Sequence, residues 1–161
     1  MLDRDPAERS TNMEFAPPRS LETEHEALHG ELVPLTGLPG QVGEAARLVA
    51  ARLHEHFALE EEYAIPPLAL LAPLAQGGVT PAMRTILATT DRLRAELPRM
   101  LAEHRAIVEA LGELAKAGET EHRPEAVRFA EKLRLHAAME EDVLYPAAIL
   151  VGEYVKHARC A

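Results

Sequence analysis

Shifted against itself by eighty positions, the chain matches in chemistry as well as in apolar pattern. Ala46 falls on Ala126, Leu53 on Leu133, His56 on His136, Glu60 on Glu140, Glu61 on Glu141 and Pro66 on Pro146. A shift of seventy-nine lays Glu24-His25 on Glu103-His104, with Leu28 on Ile107 and Leu32 on Leu111. Any fold must therefore accommodate two like halves. Within each half the apolar residues recur every three or four positions, the period of one helix face, and no alternating strand pattern is legible. Each half reads as a helical hairpin, and two hairpins bury their apolar faces most economically as an all-α, antiparallel up-down four-helix bundle. Of the 161 residues 47% are hydrophobic and only 4% aromatic, with no Trp, a set suited to Leu, Ala and Val packing between helices rather than to a large antiparallel sheet.

Residues 1–19, with Pro6, Pro17, Pro18 and charges of both signs, show no apolar period and read as a flexible arm. The bundle is expected over residues 20–157, with 158–161 as a tail. Ser20 is the expected N-cap of the first helix, which runs through Leu21, His25, Leu28 and Leu32 and closes at Pro34 and the Gly37/Gly40 pair. The second helix runs from Gln41 through Val42, Ala45, Val49, Leu53, His56, Glu60 and Tyr63 to Pro66-Pro67, which kink or end it. An apolar connection ending in Gln76-Gly77-Gly78 leads to Thr80-Pro81, the cap and first turn of a third helix. That helix spans about Ala82 to Lys116, bends at Pro98 and ends at Gly118. The fourth begins near Pro124, with a buried stripe of Phe129, Leu133, His136, Glu140, Val143, Ala147, Leu150 and Tyr154.

Folding the hairpins about a pseudo-twofold axis brings His25 and His104 to the level of the His56/Glu60 and His136/Glu140 pairs. Residues four apart lie on one helical face, roughly 6 Å apart along the axis, so one side chain binds end-on while the other bridges. Four imidazoles and two carboxylates form a moderately hard set, suited to iron or manganese and workable for zinc. If both glutamates bridge, they and the histidines fill about eight of roughly twelve positions around two six-coordinate metals. A bridging oxo or hydroxo group fills about two more, which leaves about two for dioxygen, peroxide or nitric oxide. One histidine on an apolar face is ordinarily a hydrogen-bonded core residue. Four, with two carboxylates, leave several costly unpaired polar groups unless a metal takes them. Glu61 and Glu141 sit about 100° round their helices from these residues and read as solvated or supporting groups.

The segments HFALEEEYAIPP and HAAMEEDVLYP resemble the second- and fourth-helix signatures of the hemerythrin-like family, also called HHE cation-binding domains. EHEALHGEL and EHRAIVEAL resemble its single-histidine first and third helices, and the resemblance runs from about Leu21 to Tyr154. It implies a non-heme di-iron centre with His25, His56, Glu60, His104, His136 and Glu140 as ligands. It also implies iron handling, or the binding of or response to oxygen, peroxide or nitric oxide, and it assigns no catalytic residue. Oxygen-carrying hemerythrins place two histidines four apart on the third helix. Val108 stands where the second would be, which points away from oxygen transport.

Other readings compete for the same residues. His25-Glu26-Ala27-Leu28-His29 matches the zinc-peptidase pattern H-E-x-x-H, with Glu26 as the would-be general base. Such an enzyme needs a strand to align its substrate and a third ligand on another element, and no strand is legible. A di-iron peroxide or nitric-oxide oxidoreductase is the other enzymatic alternative. A ferritin-like site needs Glu-x-x-His on two core helices, and a DinB-like site with three histidines leaves one histidine and both glutamates unexplained. His54, two residues from His56, points about 200° away from it. A purely structural or interaction bundle is the remaining class.

The net charge of −9, with no Lys/Arg cluster, argues against nucleic acid or an anionic membrane as partner. A lone Cys160 excludes an intrachain disulfide and a thiolate metal cage, and fits the cytoplasm. No export signal or membrane span is expected.

Overall fold

The computed structural model describes residues 15–159. Most of the expected arm, residues 1–14, and the tail residues Cys160 and Ala161 lie outside the described residues. Regular structure among the described residues is helical. It comprises α1 (Arg19–Thr36), α2 (Gly40–Leu59), α3 (Ile65–Leu68), α4 (Leu71–Gln76), α5 (Leu87–Thr120), α6 (Pro124–Met139) and α7 (Tyr145–His157). A π-turn at Glu60–Ala64 joins α2 to α3, a second at Glu140–Leu144 joins α6 to α7, and a 3-10 turn at Pro81–Ile86 leads into α5.

The four long rods form a helical bundle. α1 packs on α2 and α6, and α5 packs on α2, α6 and α7. Three apolar clusters fill the interior, two larger and a smaller one on Leu70, Val79, Met83, Val151 and Val155. Of the larger two, the first is built on Leu28, Leu32, Val49, Leu53, Leu111, Phe129 and Leu133, the second on Ala64, Leu68, Leu93, Met100, Tyr145 and Ala148. His56 and Glu60 lie between Leu53 and Ala64, His104 lies between Met100 and Ile107, and His136 and Glu140 lie between Leu133 and Tyr145. These buried histidines and glutamates therefore occupy one level of the bundle, closed above and below by hydrocarbon.

Several boundaries differ from the sequence reading. α1 starts at Arg19 with Pro18 at the N-cap, not at Ser20, and passes through Pro34 to Thr36. Leu35, just beyond that proline, is buried in the first cluster, and its burial offsets the missing hydrogen bond. Pro66-Pro67 does not break the second rod. The widened turn before it carries an i→i+5 bond from the Ile65 N–H to the Glu60 carbonyl, which makes room for a proline ring that an α-turn would reject. The mid-chain connection is itself mostly helical, and α5 begins at Leu87 rather than Ala82.

Gly118 does not end α5. A Cβ there would lie 3.0 Å from Val127 and 3.1 Å from Ala126, so this glycine sets a close approach of α5 to α6. The stripe expected beyond Glu140 is also displaced: Val143, Leu150 and Tyr154 are exposed, while Tyr145, Ala148, Val151 and Val155 are buried. The π-turn contributes one extra residue and moves the buried face on by one position. No described helix is long and apolar enough to cross a membrane.

Candidate metal centre

His25, His56, Glu60, His104, His136 and Glu140 are all buried. Three of the six are set by simple helical register: His56, His104 and His136 follow Leu53, Met100 and Leu133 by three or four residues and share their inward face. Glu60 and Glu140 are each the first residue of a π-turn, one turn after a histidine.

The six form two groups that share carboxylates. Ligand atoms of His56, Glu60, His104 and Glu140 lie within 4.8 Å of one another, and so do those of His25, His136 and Glu140. Glu60 turns Oε1 to His56 Nε2 at 3.3 Å and Oε2 to His25 Nε2 at 3.5 Å. Glu140 turns Oε2 to His104 Nε2 at 3.2 Å and Oε1 to His136 Nε2 at 2.7 Å, with His25 Nε2 3.5 Å from the same oxygen. Each carboxylate thus presents one oxygen to each pair of histidines. His136 Nε2 and Glu60 Oε2 nevertheless make no hydrogen bond. Two buried polar atoms close to opposite partners but aimed away from hydrogen-bonding directions are what a donor set shaped for a cation would leave. The residues fit a metal site.

A second ring of carboxylates faces the Nδ1 atoms. His56 Nδ1 lies 2.9 Å from Glu103 Oε2 and His104 Nδ1 lies 2.8 Å from Glu141 Oε1, each within a hydrogen bond. Glu24 stands 3.2 Å from His136 Nδ1 and Glu61 stands 3.9 Å from His25 Nδ1, neither in hydrogen-bonding geometry. Such partners fix the tautomer and orientation of a ligating imidazole and raise its basicity. The Tyr145 hydroxyl enters only the His56/His104 half. It donates to Glu60 Oε1 and lies 3.3 Å from His56 Nε2 and 3.1 Å from His104 Nε2.

Without metal the site balances its charge with protons. Burial pushes the His56 imidazole down, but the hydrogen bond and charge of Glu60, with Glu103, outweigh it and raise it to about 9. His136 is likewise raised, burial opposing and the close Glu140 carboxylate prevailing. Burial pushes the Glu140 carboxyl up, and the contacts of His104, His136 and His25 pull it far below the usual carboxylate range. Burial, then the charges of Glu60 and Glu140, hold the Tyr145 phenol in its protonated form.

Two spaces adjoin the centre. A cavity of about 570 Å³ between α1 and α2 reaches His25, whose ring stacks on Phe57 with centroids 4.0 Å apart. A void of about 10 Å³ touches His25, Glu60, Glu140 and Tyr145 and is roofed by Leu21, Leu68 and Leu144.

His29, Glu26 and His54 are exposed on the cavity rim, and neither group of convergent ligand atoms includes them. The H-E-x-x-H string therefore does not converge on one ion. Val108 is 38% exposed, and the buried position one turn after His104 is Ile107. Sequence reasoning missed Glu24, Glu103 and Tyr145. The first two carried a signal, since each directly precedes a histidine in both matching segments. Tyr145 carried none, because its counterpart under the eighty-residue shift is Ile65.

No curated protein and no solved structure matched the chain. The family model described as the hemerythrin HHE cation binding domain matches residues 16–148, which include the four buried histidines, the two buried glutamates and both π-turns. By that match over most of its length, the chain belongs to the hemerythrin HHE cation-binding domain family.

Proposed function

We propose that His25, His56, Glu60, His104, His136 and Glu140 hold two iron ions, with both glutamates bridging, in a protein that handles iron or binds and responds to dioxygen, peroxide or nitric oxide. The observation that supports this is the division of each carboxylate between two pairs of histidines. Manganese or zinc are substitutes that the same donors accept. When bound, iron supplies Lewis-acid and electron-transfer chemistry toward such small molecules. The chain does the rest. The imidazoles and carboxylates fix the ions, Glu103 and Glu141 hold two of the imidazoles in orientation, and the apolar clusters on either side exclude water. The void beside Glu60 and Glu140 has room for about one water-sized molecule, which favours a diatomic ligand or peroxide over a bulky organic substrate.

This proposal includes the antiparallel order of the helices and the two-hairpin repeat. Its support is a repeated pairing: Glu24 faces His136 as Glu103 faces His56, and Glu61 faces His25 as Glu141 faces His104. It also includes a cytoplasmic protein without nucleic-acid or membrane partners, in line with the net charge of −9. Protein from iron-replete growth should carry about two iron ions per chain. A reproducible content of a single zinc ion would overturn the di-iron centre.

A further inference from the structure

The two halves of the centre differ. The His56/His104 half has both of the outer carboxylate hydrogen bonds and the Tyr145 hydroxyl, whereas the His25/His136 half has neither and adjoins the cavity between α1 and α2. Two metal-to-ligand bonds of about 2.1 Å meeting at a right angle set their donor atoms about 3.0 Å apart. The Tyr145 oxygen stands at that order of distance from His56 Nε2 and His104 Nε2, 3.3 and 3.1 Å, and is closer still to Glu60 Oε1. His56 Nε2 to Glu60 Oε1 and His104 Nε2 to Glu140 Oε2, at 3.3 and 3.2 Å, have the same spacing. The phenol oxygen thus takes a corner in the same set as the imidazoles and carboxylates.

We propose that Tyr145 is a further ligand of the His56/His104 half, its phenol oxygen binding the metal directly. The proposal rests on the metal centre described above and adds to it a seventh protein ligand confined to one ion. On binding iron(III) the phenol O–H bond breaks, an O–Fe bond forms, the proton leaves to solvent and no electron is transferred. The one-residue displacement at Glu140–Leu144 is what brings Tyr145 to the buried face, and the equivalent turn of the other half brings Ile65 there instead.

Iron(III)-loaded full-length protein should show a phenolate-to-iron charge-transfer band, with tyrosine ring modes enhanced in its resonance Raman spectrum and shifted by ring-deuterated tyrosine. Tyr145→Phe should abolish the band while the protein retains iron. A variant carrying both Tyr63→Phe and Tyr154→Phe should keep it, and this arm decides the matter if Tyr145→Phe does not fold. Iron-loaded wild-type protein without the band, or a band that survives Tyr145→Phe, overturns the assignment and leaves the di-iron centre standing. A chain that takes up no iron overturns both.

Discussion

His56 shows how one side chain ties the centre to folding. In the metal-free protein it titrates at about 9 against an ordinary 6.5, and His136 is raised in the same direction. A histidine raised by folding gives its full stabilisation below the unfolded value and loses it as pH rises through the folded one. Glu140, shifted down, contributes above the usual carboxylate range and loses that contribution only in strong acid. Metal-free protein should therefore be most stable between about pH 5 and 6.5 and lose roughly 3 kcal/mol by about pH 10. Denaturant titrations at stepped pH would measure this, and a flat or rising stability over that interval would exclude a charged His56. At this scale the six inward residues were legible because helical spacing alone brings them to one level. The outer carboxylates were only half legible. Whether Glu61 or Glu141 reaches a ring depends on rotamers and on neighbouring helices: Glu141 hydrogen-bonds His104, and Glu61 stops 3.9 Å short of His25.

The four long rods were legible in number and poorly legible in phase. A π-turn inserts one residue without altering composition, so a stripe extrapolated from Glu140 predicts Leu150 and Tyr154 where the fold buries Val151 and Val155. The signal that was present, Glu60 to Pro66 and Glu140 to Pro146 at equal spacing, read as a stop because proline ordinarily ends a helix. The register that results presses Gly152 of α7 against Thr90 of α5, where a Cβ would lie 2.2 Å from the Thr90 hydroxyl oxygen and 2.5 Å from its Cβ. Helix propensity alone would make Gly152→Ala stabilising by about 1 kcal/mol. Overpacking against a buried threonine costs about 1 to 3 kcal/mol and should win. Thermal melts should show a lower midpoint for Gly152→Ala, and an unchanged or higher one would mean that α5 and α7 separate freely.

The whole molecule places ten carboxylate and imidazole groups at one level of an otherwise apolar bundle, counting the six inward residues with Glu24, Glu61, Glu103 and Glu141. Metal bound only by the folded state adds stability, on the order of 4 kcal/mol when its free concentration is a thousand times its dissociation constant. Chelation should lower the melting temperature or loosen the bundle, and His136→Ala or Glu140→Ala should do so without chelator. Unchanged melting in all three would reduce the site to a structural polar layer. The outer carboxylates have an electrochemical consequence as well. Negative charge hydrogen-bonded to the far nitrogen of an imidazole makes that ring a stronger electron donor, and six carboxylates around one centre favour the more highly charged state of any ion held there. Iron held as proposed should therefore show a low midpoint potential, with the ferric form as its resting state.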